Sequence, residues 1–296
     1  TPDYGTFSGD LSLRSNNGGA QTLNNWVVRQ IGMPFDGGWR ADHTLGLLGT
    51  PVPELGRVQQ RFIVPSVSLR GISGQWYQRQ GAAANQLGPT WQASTGETGQ
   101  ISGFPQASFQ TDGGRVSTLG FQSNAAAWSW AGYVAQGKRL ATPTVLGTQA
   151  LDYTAAYAAL RYSTSLWQGQ ANILASEPQT NLPGASRPGS AAGAAGSRAG
   201  LWLEASTQQA ALNHSGGAFY LPVGLRWLNT TLANDVQGIF YRVNYLSRQW
   251  TNDASLELLQ SVSGHTAPGW FASAVSRYQV DSATGVGGGV NLRRYV

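Results

Sequence analysis

The sequence predicts an all-β protein, specifically a transmembrane antiparallel β-barrel of about 14–16 strands, and three observations predict it. Apolar residues recur at every second position through most of the chain, the spacing that puts them on one face of a strand. Charged residues are only 11% of 296, while Trp and Tyr together number 22. That composition suits a surface divided between lipid and water better than one bathed in water. Finally, no run approaches the roughly 18 to 20 apolar residues of a membrane helix. A chain that crosses a membrane without helices must do so as a closed barrel, where every backbone group is paired.

The alternation can be followed from the N-terminus. Phe7, Leu11 and Leu13 alternate with Ser8, Asp10, Ser12 and Arg14. Trp39, Ala41, Leu45 and Leu47 alternate with Arg40, Asp42 and Thr44. Leu151, Tyr153, Ala155, Tyr157 and Ala159 form one apolar face, and Trp167, Ala171, Ile173 and Ala175 another. Around Trp128 and Trp130 the neighbours are also apolar, so the facing is open there. Further strands are expected near Trp26, Val67, Trp91 and Val116.

Four segments in the second half share one design. Phe219, Leu221, Val223, Leu225 and Trp227 read as the apolar face of one strand, although Pro222 removes a ladder donor. Ile239, Tyr241, Val243 and Tyr245 flank Arg242 and Asn244. Trp250, Ala254, Leu256 and Leu258 alternate with Thr251, Asp253, Ser255 and Glu257. Trp270, Ala272, Ala274, Tyr278 and Val280 alternate with Ser273, Arg277 and Gln279. Glycine pairs such as 18–19, 37–38, 113–114 and 216–217 are expected between strands. Residues 177–198 are rich in Pro, Gly, Ala and Ser and read as one long flexible loop. Because alternation resumes after them, residues 1–296 read as a single outer-membrane barrel domain.

The faces assign the charges. A charge on the lipid face near the bilayer midplane would cost roughly 2 to 4 kcal/mol. Arg14, Arg40, Asp42, Arg226, Arg242, Asp253, Glu257 and Arg277 are therefore expected to line a polar pore. Trp39, Trp227, Trp250 and Trp270 lie at or near strand ends and are expected at the membrane interfaces, where amphipathic rings collect.

Little in the sequence points to catalysis. His43, His214 and His265 stand far apart, without metal-ligand spacing. His43 falls on an apolar face, and the other two fall in expected loops. There is no G-x-S-x-G elbow, and Gly287-Gly288-Gly289 lacks the helix that a phosphate loop requires. With no cysteine, disulfides and thiolate metal sites are excluded. No catalytic residue, metal or cofactor is expected, and the protein is not expected to be an enzyme. The basic excess is almost entirely arginine, with Lys138 the one lysine. It is scattered, without the stripe of a nucleic-acid binder.

One stretch carries a family resemblance. Residues 39–71 read WRADHTLGLLGTPVPELGRVQQRFIVPSVSLRG. With Arg57, Arg61, Phe62, Pro65, Arg70 and Gly71, this resembles the outer-membrane ushers of chaperone–usher pili. The abrupt start of the chain also resembles barrels that export polysaccharide behind a periplasmic helical-repeat scaffold. Either resemblance implies an export or secretion conduit with periplasmic protein partners.

The function expected is thus an outer-membrane pore or secretion conduit passing a polymer or solute. Its expected surroundings are outer-membrane lipid and lipopolysaccharide, with periplasmic or surface proteins as partners and no nucleic acid. Two alternatives stand beside it. One is a structural or adhesive outer-membrane anchor with a closed lumen. The other is a soluble, Trp-rich all-β carbohydrate-binding protein.

Overall fold

In the computed structural model, the described residues are 3–15, 21–57, 61–79, 87–102, 108–144, 147–179 and 198–294. They form seventeen strands and two short helical turns. The first eight strands are β1 (Thr6–Ser15), β2 (Gln21–Pro34), β3 (Trp39–Gly49), β4 (Ser68–Arg79), β5 (Leu87–Ser102), β6 (Ser108–Ala125), β7 (Trp128–Thr144) and β8 (Gly147–Ser163). Next come β9 (Trp167–Gln179), β10 (Arg198–Gln209), β11 (Leu212–Leu221), β12 (Arg226–Trp227) and β13 (Thr230–Thr231). The last four are β14 (Val236–Leu246), β15 (Trp250–Gln260), β16 (Gly269–Gln279) and β17 (Gly285–Arg294). A 3-10 turn (Asp36–Gly38) precedes β3, and α1 (Glu54–Arg57) lies between β3 and β4. No helix is long and apolar enough to cross a membrane, which says nothing of strands that do so.

Fifteen strands follow one another in chain order in one sheet, within the expected 14 to 16, and β12 and β13 pair separately. Every register given is antiparallel, as in β3 with β4, where Leu45 faces Ile72, and β14 with β15, where Ile239 faces Leu258. The strands expected near Trp26, Val67, Trp91 and Val116 are β2, β4, β5 and β6.

By its internal contacts the chain divides into two units. The first comprises residues 1–158, 176–197 and 226–230; the second comprises 159–175, 198–225 and 231–296.

The first unit has one open apolar face and one covered face. Along β6, Val116, Thr118 and Gln122 are buried, whereas Leu119 between them is 50% exposed. Register carries this parity outward: Trp91 faces Phe121, and Ser123 faces Trp130. The rings of Trp91, Phe121 and Trp130 consequently make successive contacts at 4.5 and 4.7 Å on the open face.

What covers the other face is the connection between β3 and β4, in its described residues 50–57 and 61–67. Its base is closed by Thr50 N donating to the Val67 carbonyl at 2.9 Å and Val67 N donating to Thr50 Oγ1 at 2.9 Å. Its tip, α1, buries Leu55 completely. The Leu55 N–H donates to Gln122 Oε1 at 3.2 Å, and Tyr157 Oη donates to the Leu55 carbonyl at 3.0 Å. Gly56 fits between Val52, Val64 and Tyr157, where a Cβ would approach within 3.0 to 3.3 Å of all three.

This segment reverses one expected facing. Tyr153, Ala155, Tyr157 and Ala159 in β8 are 6% exposed or less and belong to the covered side, while Leu160 is 46% exposed. Tyr157 shows the physical reason: the connection between β3 and β4 packs Leu55 and Gly56 on the covered side, where an aromatic ring is stable. Trp128 and Trp130, whose facing was open, lie on the exposed side at 48% and 47%.

The second unit alternates most cleanly. Ile239 and Tyr241 are exposed at 53% and 48%, but Phe240 is 5% exposed. Leu256 and Leu258 share the open face, paired with Tyr241 and Ile239. The strand expected over 219–227 is different: β11 ends at Leu221, before Pro222, which fixes φ and lacks the N–H a ladder needs. Phe219 and Leu221 are buried at 5% and 2%, while Tyr220 is 43% exposed, the opposite of the expected facing. After the break, residues 222–225 turn back, and Leu225 is fully buried; it and Leu221 lie over Gly200 and leave no room for a Cβ there.

Two glycine pairs expected between strands lie within them. Gly113 adopts φ +78 inside β6, at the register shift opposite Glu97 and Gly99. A Cβ on Gly217, within β11, would lie 2.2 Å from the Leu203 carbonyl oxygen. Close approach of the neighbouring strand requires glycine at 217, and the positive φ at the register shift favours it at 113; neither is a chain reversal.

Candidate functional site

The candidate site is the polar side of the sheet, built by strand parity. In the second unit, the residues between Ile239, Tyr241 and Val243 point to the side opposite the exposed apolars. Register then brings Arg242 against Ser255, Asn244 against Asp253, and Phe240 against Glu257. The next strand adds Phe271 opposite Glu257, Ser273 opposite Ser255, and Arg277 opposite Thr251. One polar strip therefore contains four expected pore-lining residues: Arg242, Asp253, Glu257 and Arg277.

The strip is laced both diagonally and straight across. Arg242 and Glu257 form an ion pair at 3.5 Å. Asn244 Nδ2 donates to Asp253 Oδ2 at 3.4 Å, and the Ser255 and Ser273 hydroxyls are 2.7 Å apart. The Arg242 side chain is 42% exposed, so its pair contributes little stability, on the order of 0–1 kcal/mol. What the arrangement can do is hold alternating cations and hydrogen-bonding groups against water, as a wall for polar solutes requires.

In the first unit Arg40 and Asp42 lie on the side of β3 opposite Leu45. Asp42 accepts from the Gly32 amide at 2.7 Å and from Tyr77 Oη at 3.3 Å. On the same side of β1 and β2, Arg29 and Asp10 pair at 2.7 Å. The Arg14 side chain lies outside the described residues. Arg226 is not on a wall strand: it begins β12, and its amide donates to Ser176 Oγ at 3.4 Å.

Of the four tryptophans expected at interfaces, Trp250 begins β15 and is 44% exposed, against Tyr278 at 4.9 Å. Trp39 begins β3 and Trp270 stands second in β16, both half-buried. Trp227 departs from the expectation. It is fully buried and stacks on Tyr133 at 5.5 Å and 23°. Beside it, Leu228, also fully buried, packs over Gly137. Once Pro222 ends β11, Trp227 no longer follows strand parity, and the segment carries it onto the covered face of the first unit.

His43 is on the open apolar face, edge-on to Trp76 at 5.8 Å and bonded to Gln30 at 3.0 Å. His214 was expected in a loop but lies in β11, bonded to Tyr241 Oη at 2.5 Å. His265 lies between β15 and β16, bonded to Ser263 Oγ at 2.5 Å. Among the described residues no group of three His, Asp or Glu side chains could hold a metal ion.

Two carboxylates outside the strands of the main sheet have shifted acidity. Asp235 is held below its ordinary value chiefly by the Ser263 amide and hydroxyl, with Ser261 adding a further donor. Asp281 is lowered by the Ala283 and Thr284 amides in the β16–β17 turn.

Sequence reasoning missed the two in-folded segments, 50–67 and 222–235. Their signal was present in Pro51, Pro53 and Pro222, each of which stops a ladder. Apolar residues beside these prolines (Val52, Leu55, Val64, Leu225) needed burial away from strand parity.

No family model matches the chain, and no curated protein matches it in sequence. Among solved structures, the chain is similar to that of Pseudomonas aeruginosa OccK11 (OpdR), at 9% identity and TM-score 0.49, over 98% of this chain and 88% of that one. It is similar to Pseudomonas aeruginosa OccK2 (OpdF) at 14% identity and TM-score 0.47, over 98% and 91%. It is also similar to a BenF-like porin from Pseudomonas fluorescens Pf-5 at 14% identity and TM-score 0.45, over 98% and 92%.

Proposed function

We propose that the chain is an outer-membrane β-barrel pore for small polar solutes, its sheet closed around the polar strip and its apolar face in lipid. The observation that carries this reading is the exposure of alternate large apolar residues. Ile239, Tyr241, Leu256 and Leu258 are all more than 40% exposed and stand side by side. A contiguous apolar face of this kind would be costly in water, at roughly 25 cal/mol per Å². In lipid it costs nothing, and the charges on the opposite side then need an aqueous interior.

The in-folded segment 50–67 favours a narrowed conduit for solutes over a wide one for polymers. The stretch with the usher resemblance supplies β3, this segment and the start of β4. Export of a polymer, and the periplasmic partners that go with it, draw no support from that placement.

The same segment favours a second reading, an anchor whose lumen is closed. Planar-bilayer recording separates the two. Expected for a pore are discrete, reproducible steps of conductance from folded protein. Protein that inserts but stays silent, even with residues 180–197 deleted, would make it an anchor. Solubility without detergent would remove both readings and restore a soluble carbohydrate binder.

A further inference from the structure

One row of charge interrupts the open apolar face of the first unit. Register places Arg70, Glu97, Arg115 and Lys138 side by side across β4 to β7. Their parity is that of Ile72, Leu119 and Val134, which are 50 to 51% exposed. Three cations against one carboxylate leave a net +2. Arg70 is already oriented: it bonds Glu97 at 2.9 Å and lies over the Phe109 ring at 5.8 Å. Arg115 and Lys138 are exposed. Beyond Lys138, the Asp152 carboxylate accepts from the Arg139 amide at 2.7 Å, and Arg139 is itself exposed.

The row has a definite depth. Toward the other end of the same strands, hydroxyls come first, with Thr95 and Ser117 bonded at 2.9 Å. Leu119 and Val134 follow, and then the aromatic contacts of Trp91, Phe121 and Trp130. Trp91 and Glu97 are six residues apart, about 20 Å along a strand and about 15 Å in depth at the 35–45° tilt of barrel strands. Long Arg and Lys side chains extend that reach further. With the rings at one membrane interface, the charged row belongs at the opposite one, since three cations in line are untenable among acyl chains. The long connection 50–67 leaves β3 and enters β4 at this end. In outer-membrane barrels longer connections face outward, so the row meets the outer leaflet.

Resting on the outer-membrane reading above, we propose that Arg70, Arg115 and Lys138 form a binding site for the phosphate groups of lipopolysaccharide lipid A. From Arg70 to Lys138 the row spans three strand spacings, roughly 14 Å. A line of cations of that breadth suits a disaccharide headgroup with a phosphate at either end. Glu97 relieves repulsion within the row while leaving it cationic.

The test uses the whole chain, refolded in detergent and shown to be heat-modifiable on a gel before any lipid is added. Bisphosphorylated lipid A is then titrated, with retention read by native mass spectrometry. Each juxtamembrane cation removed should loosen binding about fivefold. Arg115→Gln with Lys138→Gln should therefore weaken retention by more than tenfold, and monophosphorylated lipid A should bind less well than the bisphosphorylated form. Arg248→Gln, an equal charge change in the exposed 247–249 turn, should leave retention unaltered. If the double variant does not fold, Lys138→Gln alone carries the test. Unchanged retention in a folded variant overturns the proposal, as does equal retention of phosphatidylglycerol. A wild-type chain that is not heat-modifiable instead overturns the outer-membrane reading on which the site rests.

Discussion

Trp227 illustrates how one residue's environment is set by chain geometry more than by its type. Taken as the end of a strand, it belongs at a lipid interface; with the strand broken at Pro222, it becomes the most deeply buried large ring of the first unit. Truncating such a ring costs about 3–5 kcal/mol through lost burial and the cavity left behind. Trp227→Ala is expected to lower the temperature at which the protein loses its heat-modifiable form, whereas Trp250→Ala, at an exposed strand end, should lower it far less. Equal losses would mean that Trp227 is not part of the core. Asp235 acts at the same scale. Its acidity is strengthened by Ser263 and Ser261, so its folded pKa lies below the ordinary 3.8. A carboxylate of this kind contributes stability above its unfolded pKa and loses it as pH falls through the folded value. The tie between residues 235 and 261–263 should therefore hold at neutral pH and release in acid. Amide exchange at Ser263, corrected for intrinsic rate, is expected to speed up below the ordinary carboxylate range. In Asp235→Asn it should already be fast at pH 7.

Strands and connections read differently because only strands carry a period. Where β14, β15 and β16 alternate between lipid-type and polar residues, the sequence alone assigned Arg242, Asp253, Glu257 and Arg277 to one side, and register places them together. Parity failed at β8, where Tyr153, Ala155, Tyr157 and Ala159 are buried and Tyr157 meets Leu55 and Gly56 of α1. Alternation reveals that two faces differ without revealing which one is covered. Nor could it reveal that residues 50–67 fold back, since a connection's destination depends on contacts such as Gln122 with Leu55, 67 residues apart in sequence. Within that segment Leu55 is the anchor, fully buried and bonded on both sides through its backbone. Leu55→Ala should cost about 2–5 kcal/mol at the anchor and free the tip without unfolding the wall. If the segment narrows a conduit, single-channel recordings should show larger conductance with more frequent flicker than in the wild type. A Leu55→Ala channel with unchanged conductance would place the constriction elsewhere.

At the largest scale, the connections of the second unit are sorted by length. In the second unit the turns 164–166, 210–211, 247–249 and 280–284 are short and joined by backbone hydrogen bonds. Gln208 donates to the Leu166 carbonyl at 3.0 Å, Leu246 to that of Ala211 at 2.8 Å, and Gln279 to that of Gln249 at 2.7 Å. Aromatic rings gather beside them, Tyr162 with Trp167 at 5.6 Å and Trp250 with Tyr278 at 4.9 Å. The longer connections 222–235 and 261–268 leave from the opposite strand ends. Outer-membrane barrels keep short turns on the periplasmic side and long ones outside, so the sorting predicts a sidedness. The chain has no cysteine, which makes that sidedness measurable against a blank background. Thr266→Cys, exposed between β15 and β16, should react with a membrane-impermeant maleimide on intact cells. Ser165→Cys, exposed in the 164–166 turn, should react only after the envelope is permeabilised. Labelling of both on intact cells would mean that the two ends of these strands are not separated by a membrane. The inverse pattern would mean that the short turns of the second unit face outward and its long connections inward.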